Sequence, residues 1–144
     1  MRALAGDNDN PTKALKPFDL NRDGFIAGEG GAAMILEDYD HARARGARIY
    51  CEVIGYGSSN DAYDMIALHE TGRGLKRAMR AALRKAAIDP AEIDYINPHG
   101  SGTPLNDRVE TLVFKEIMGE AAYDASVSSV KPITGHCMGA SGSV

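Results

Sequence analysis

The chain has no tryptophan, three phenylalanines and two cysteines among its 144 residues. Two cysteines, Cys51 and Cys137, are too few for a disulfide framework, which favours a reducing cytoplasm. No apolar run approaches the roughly 20 residues that a membrane-spanning helix needs, and the first six residues are too short for a signal peptide. Positive charge is not in excess either, because the net charge is −4. We therefore expect a cytoplasmic protein that binds neither membrane nor nucleic acid.

The residues that are present predict one α/β unit with a buried sheet. The apolar fraction is 44%, and the 16 glycines are spread in short clusters, as in tight turns between strands and helices. A helix over 74–88 has the clearest apolar stripe, and its other face is basic. That basic face is either a solvated surface or a surface that attracts an acidic partner. The other predicted helices cover 38–45 and 107–118, and the predicted strands cover 25–36, 49–56, 93–97 and 126–129.

Two histidines have matching surroundings in the sequence. His99 follows a predicted strand and precedes a glycine-rich loop, and His136 follows Gly135 at the end of another loop. A single loop histidine is more often structural than catalytic. A pair in matched positions, where glycines allow other groups to approach closely, is a candidate functional pair.

The acids between the two histidines allow two interpretations. Asp107 and Glu110 have the spacing of a capping box at the start of the predicted helix 107–118. Capping is the better explanation for Asp107. Glu110 could cap the helix or pair with Lys131, and both possibilities stay open.

Known metal and nucleotide patterns are incomplete. Residues 19–26 match the first part of an EF-hand calcium loop, but its twelfth position, which needs a glutamate, is Gly30. His99, His136 and Cys137 have no recognised metal-ligand spacing, and the glycines at 28–31 lack the lysine of a P-loop. We predict no metal site, and we interpret Cys137 as a small buried thiol.

Several motifs, in order along the whole chain, resemble the elongating β-ketoacyl-acyl-carrier-protein synthases, whose catalytic set is Cys-His-His. They begin with Arg2-Ala3-Leu4 and end with the lysine and histidine near the C-terminus. The most specific motifs are Asn97-Pro98-His99-Gly100-Ser101-Gly102-Thr103-Pro104 and Val127-Ser128-Ser129-Val130-Lys131 followed by Gly135-His136.

The resemblance implies part of a thiolase-like fold with α-β-α-β-α layers. Residues 1–60 would be the end of the N-terminal half, and residues 61–144 the start of a truncated C-terminal half. The nucleophilic cysteine of the family would lie before Met1, and the glycine-rich segment that supplies an oxyanion amide would lie after Val144. We therefore expect the isolated chain to be inactive.

The resemblance also implies an acyltransferase that condenses an acyl thioester with malonyl-carrier protein in fatty-acid or polyketide biosynthesis. His99 and His136 match the two hydrogen-bond donors to the malonyl thioester oxygen, and Lys131 with Glu110 matches a structural and electrostatic pair beside them. Ser101 and Thr103 match hydroxyls that bind the pantetheine arm. The implied partners are an acyl carrier protein, which brings the phosphopantetheine so that no separate cofactor is needed, and a second copy in a homodimer.

The chain departs from the family where a histidine and a threonine usually contact pantetheine, because Asp64 and Ile66 stand there. Its other motifs are divided between the fatty-acid and the polyketide enzymes, so the pathway, the acyl-chain length and the oligomeric state stay open. A non-catalytic partner like the chain-length factors is the alternative, although the retained His99 and His136 favour an enzyme. An interaction fragment without activity is the third possibility.

Overall fold

The computed structural model describes residues 3–144, and Met1 and Arg2, the start of the first matched motif, lie outside the described residues. Helices and two short strands follow one another along the chain, with 3-10 turns at Pro90–Glu92, Gly119–Tyr123 and Met138–Ala140. The helices are α1 (Pro11–Ala14), α2 (Tyr39–Ala44), α3 (Arg73–Ala86), α4 (Pro104–Met118) and α5 (Lys131–Thr134), and the strands are β1 (Tyr95–Ile96) and β2 (Ser126–Val127).

Helix α4 forms the centre of the core. Val109 and Val113 are fully buried on it, and Phe114 and Met118 are nearly so, which follows from their i, i+4, i+5 and i+9 spacing on one face. The helix begins at Pro104, three residues earlier than predicted, because proline at the first position needs no hydrogen-bond partner for its nitrogen. Asp107 therefore lies inside the first turn, and the predicted capping box there is wrong.

Strands β1 and β2 are parallel and lie on either side of α4 in the sequence. Tyr95 is in register with Ser126 and Ile96 with Val127, so the strand–helix–strand order is that of a βαβ unit. Both predicted strands are confirmed in this shorter form. Because the strands are parallel, the loop that carries His99 and the loop before α5 both leave from the C-terminal end of the strand pair.

Helix α3 packs closely against the segment before it. Gly55 and Gly57, two residues apart, both approach its backbone: a Cβ at Gly57 would lie 1.9 Å from the carbonyl oxygen of Ala78, and one at Gly55 2.5 Å from that of Ala82. Only glycine allows such an approach. The prediction of a helix here is confirmed, with bounds two residues or fewer from those expected.

Two predicted strands are not formed. Residues 28–37 and 47–60 have no regular secondary structure, and none of their backbone pairs with a named strand within the described part of the chain. Their large apolar side chains are exposed, for example Ile35 at 87% and Val53 at 71%. A strand is stable only when neighbours take up its backbone groups, so the alternating pattern alone is insufficient here.

Two isolated bridges involve the N-terminal part of the chain. Leu4 pairs with Phe25 within that part, and Ala27 pairs with His136 of the C-terminal segment. Residues 131–134, predicted as loop, form α5, because Pro132 fixes a helical φ in its first turn. The predicted boundary after residue 60 stays a prediction. Within residues 3–144, no helix has both the length and the apolar character to cross a membrane.

We expect Gly57→Ala to destabilise the protein by about 2 kcal/mol or more, because the added methyl would overlap the backbone of α3. Gly31→Ala is the matched control, since nothing lies within 4 Å of a Cβ at Gly31. Urea unfolding followed by circular dichroism measures both. Equal unfolding midpoints for the two variants would show that the approach of Gly57 to α3 is not tight.

Candidate functional site

The two histidines come together in the structure. The ring centroids of His99 and His136 lie 5.1 Å apart, with an angle of 76° between the rings. Phe25 also packs against His136, with centroids 4.8 Å apart. His99 follows β1, and His136 follows α5 and is held by its bridge to Ala27. The sequence placed these residues 37 positions apart, and the βαβ arrangement makes them neighbours.

Glu110 positions the loop that carries His99. Its side chain is 4% exposed, and its carboxylate accepts hydrogen bonds from the backbone N–H of His99 at 2.6 Å and of Gly100 at 2.8 Å. The side-chain amide of Asn106 donates a third at 2.7 Å. Burial raises the pKa of Glu110, and the three donors oppose that rise. Glu110 therefore orders the loop rather than capping α4.

Lys131, which has the opposite charge to Glu110, binds the same loop. It is 4% exposed, and its Nζ donates to the backbone carbonyl of His99. Among the described residues, no ion pair within 4.0 Å joins Lys131 to Glu110. The two charges instead bind the N–H and the carbonyl of one residue, His99. Desolvation lowers the pKa of Lys131, whereas the charges of Glu110 and Asp107 raise it.

Asp107, which the sequence predicts to be a helix cap, instead helps to hold the site together. It is 1% exposed and accepts hydrogen bonds from the backbone N–H of Phe18 at 2.8 Å and of Gly102 at 3.2 Å. The Nε of Arg22 lies 3.7 Å from its carboxylate. Asp107 thus ties the segment 16–25 to the His99 loop. Asp107 lies one turn before Glu110, on the buried face of α4. That position in the sequence was the feature from which its burial could have been predicted.

Ser101 and Thr103 lie in the glycine-rich loop between His99 and α4. Their hydroxyl oxygens are 2.9 Å apart. Ser101 is 2% exposed, and Thr103 is half-buried. The loop is tightened by Gly100, whose φ of +45° is left-handed and at which a Cβ would lie 2.6 Å from that of Ser129. Thr103 is therefore the more accessible of the two hydroxyl residues.

Both imidazoles are neutral at neutral pH. The ring of His99 is partly open to solvent, but the atoms packed around the rest of it and the charges of Lys131 and His136 lower its pKa to about 4. Desolvation and Lys131 also lower the pKa of His136. The backbone N–H of Met138 donates to Nδ1 of His136 at 3.1 Å, so the ring proton is on Nε2.

Two neutral imidazoles next to each other can offer N–H donors to one developing negative charge. A buried lysine beside them adds a positive field. Within residues 3–144, no three His, Cys, Asp or Glu side chains cluster closely enough to hold a metal ion. Of the cysteines, Cys51 is exposed and Cys137 is buried.

The family model described as "Beta-ketoacyl synthase, C-terminal domain" matches residues 50–144. The chain is 48% identical over all of its length to a "Putative polyketide beta-ketoacyl synthase 1" of Streptomyces cyaneus, of which it covers 34%. It is 49% identical, over 99% of its length, to a "3-oxoacyl-[acyl-carrier-protein] synthase 2" of Vibrio cholerae, of which it covers 35%. The chain thus spans about a third of the length of these curated relatives.

Solved structures agree with this similarity. A type II polyketide-synthase acyl-carrier protein in complex with its ketosynthase bound to the hexaketide matches with a TM-score of 0.86 and 38% identity, over 99% of this chain and 35% of that one. A β-ketoacyl synthase from Burkholderia phymatum matches with a TM-score of 0.84 and 36% identity, over 99% and 34%. The chain has a partial thiolase-like α/β fold, as the sequence predicted.

Replacing the clamping carboxylate should loosen the His99 loop. We expect Glu110→Gln to lower the free energy of unfolding by about 2 kcal/mol, because the amide brings a donor against the N–H of His99 or Gly100. Glu116→Gln on the same helix is the control. Glu116 is 44% exposed and pairs with Lys76, so its loss should change stability by less than about 1 kcal/mol. Urea unfolding of both variants tests this, and equal losses would contradict the role of Glu110.

Proposed function

Since this chain belongs to the β-ketoacyl synthase family, we propose that it acts as part of a 3-oxoacyl-acyl-carrier-protein synthase. Such an enzyme is an acyltransferase that joins an acyl thioester to malonyl-carrier protein with loss of CO₂. The observation that carries this proposal is the pair of neutral imidazoles, His99 and His136, held 5.1 Å apart beside Lys131.

The reaction needs stabilisation of one negative charge. The acyl chain is held as a thioester on a cysteine, and the malonyl thioester loses CO₂, so that the electrons of the broken C–C bond become a carbanion delocalised onto the thioester oxygen. The carbanion then attacks the acyl carbonyl and displaces the cysteine thiolate. His99 and His136 donate N–H hydrogen bonds to the thioester oxygen where that charge develops. Each neutral ring keeps one N–H, and that of His136 is on Nε2.

The surrounding residues have supporting roles. Lys131 and Glu110 hold the two sides of the His99 peptide and fix where its ring lies. The positive charge of Lys131 also favours the build-up of negative charge between the histidines. Thr103, whose hydroxyl is hydrogen-bonded to that of Ser101, binds the polar groups of the pantetheine arm in this proposal.

The partner we propose is an acyl carrier protein, which brings the phosphopantetheine, so that the enzyme needs no cofactor of its own. A solved structure with 38% identity to this chain contains a ketosynthase in complex with its acyl-carrier protein. We also propose a homodimer in the cytoplasm. The basic face of α3 is partly engaged within the chain, because Lys76 pairs with Glu116 at 2.8 Å and Lys85 lies over the ring of Tyr56. A solvated surface remains the better interpretation of that face.

A non-catalytic partner subunit is the second candidate. One structural neighbour, 39% identical with a TM-score of 0.86, is the ishigamide ketosynthase/chain length factor, of which this chain covers 33%. The histidine pair favours the ketosynthase, because two neutral imidazoles side by side next to a buried lysine suit the stabilisation of a negative charge, which a subunit without chemistry does not need. The relatives include both polyketide and fatty-acid-type synthases, so both pathways stay open.

In the full-length synthase, we expect His99→Ala and His136→Ala each to reduce malonyl decarboxylation by about a hundredfold or more, the usual effect of losing one oxyanion donor. Transfer of the acyl group to cysteine should persist, because that step does not build charge on the malonyl oxygen. Release of labelled CO₂ measures the first reaction and acyl-enzyme mass the second. Decarboxylation at the parental rate in either variant would remove that histidine from the mechanism.

The 144 residues alone should form no 3-ketoacyl product. Cys51 and Cys137 match no part of the family's nucleophile motif, and Cys137 is 8% exposed. Purified chain, incubated with acyl and malonyl thioesters and free of host enzyme, tests this. The full-length synthase under the same conditions is the control, and product from the chain itself would show that one of its own cysteines can serve.

A further inference from the structure

Nδ1 of His136 has a second polar neighbour besides the backbone. The hydroxyl oxygen of Ser141 lies 3.0 Å from it, and the N–H of Met138 lies 3.1 Å from the same atom. A neutral imidazole nitrogen without a proton can only accept. Because the amide of Met138 must donate, the hydroxyl of Ser141 donates as well, and the two hydrogens share one lone pair.

The backbone around these contacts is built to bring both donors to the ring. Met138 has a φ of +50°, a left-handed conformation that is costly for a residue with a side chain. It begins the 3-10 turn Met138–Ala140, and the N–H of Ser141 donates to the carbonyl of Met138 at 3.1 Å. That bond closes the turn and brings Ser141 close enough to the histidine for its hydroxyl oxygen to reach Nδ1.

A rotated ring would lose both contacts. If the imidazole turned over, a carbon would face the two donors, and both would be left without an acceptor next to a side chain that is 9% exposed. The same two donors disfavour the tautomer with a proton on Nδ1. One orientation and one tautomer, with the proton on Nε2, therefore satisfy the site.

We propose that Ser141 is a positioning residue that, together with the Met138 amide, holds His136 in its Nε2–H tautomer for hydrogen bonding to the substrate oxygen. This rests on the proposed function for the role of His136, but the tautomer itself does not. The serine acts through the ring.

The kinetic test uses the full-length synthase. Ser141→Ala should lower kcat for malonyl decarboxylation about fivefold, the effect of one ordinary hydrogen bond, with KM unchanged. Ser141→Thr keeps the hydroxyl and should restore most of the rate. Ser143→Ala is the matched control, because Ser143 is an exposed serine two residues further along the same turn.

A spectroscopic test reads the ring directly. In protein labelled with ¹⁵N-histidine, Nδ1 of His136 should have the chemical shift of an unprotonated, hydrogen-bonded nitrogen, and Nε2 that of a protonated one. In Ser141→Ala, the Nδ1 resonance should move toward the shift of a free lone pair, and in Ser141→Thr and Ser143→Ala it should not. A protonated Nδ1 in the parent, or an unchanged resonance in Ser141→Ala, would overturn the proposal.

The outcomes separate this inference from the function on which it draws. If His136→Ala decarboxylates malonyl thioester at the parental rate, the proposed role of His136 fails, while the chemical shifts still decide the role of Ser141. If His136→Ala is inactive but Ser141→Ala keeps the parental kcat and the parental Nδ1 shift, the inference alone is wrong.

Discussion

Glu110 and Lys131, which carry opposite charges, both form hydrogen bonds to the backbone of His99. The geometry of the site depends on these bonds. The carboxylate of Glu110 accepts from the N–H groups of His99 and Gly100, while Lys131 donates to the His99 carbonyl. Each charge is buried, so each would be costly without a partner. The backbone of His99 lies between them and provides each with a hydrogen-bond partner. Glu110 and Lys131 therefore do not form the direct ion pair that the sequence suggested. These bonds fix the backbone of His99, from which its ring extends toward His136.

Asp107 extends the same principle one turn earlier on α4. Its carboxylate joins the amide of Phe18 to that of Gly102, and Phe18 itself has a left-handed φ of +64°. Segments far apart in sequence therefore share a single buried oxygen pair. A displacement of the segment 16–25 would remove the Phe18 hydrogen bond from the carboxylate that also binds Gly102, in the loop after His99.

Motif and periodicity predicted helices α2, α3 and α4 and the histidine pair, but neither α1 and α5 nor the contacts that arrange the site. The stripe of α3 and the glycine-rich loop after β1 are local signals, readable without tertiary structure. The prediction of a capping box at Asp107 was wrong because the single residue Pro104 starts the helix earlier. The strands at 25–36 and 49–56 failed because a strand depends on partners that a local pattern does not reveal. Ser141, a small residue in a small-residue run, carried no signal until its hydroxyl was seen beside His136.

The exposed apolar segments have a practical consequence for handling this polypeptide. Met34, Ile35 and Leu36 are consecutive and 70–87% exposed, and Tyr50 and Val53 are similarly uncovered. Backbone without sheet partners, next to apolar side chains of high strand propensity, is a template for intermolecular pairing. At high concentration the chain by itself should therefore be prone to precipitate, and its solubility should improve when a charged residue interrupts the run at Ile35.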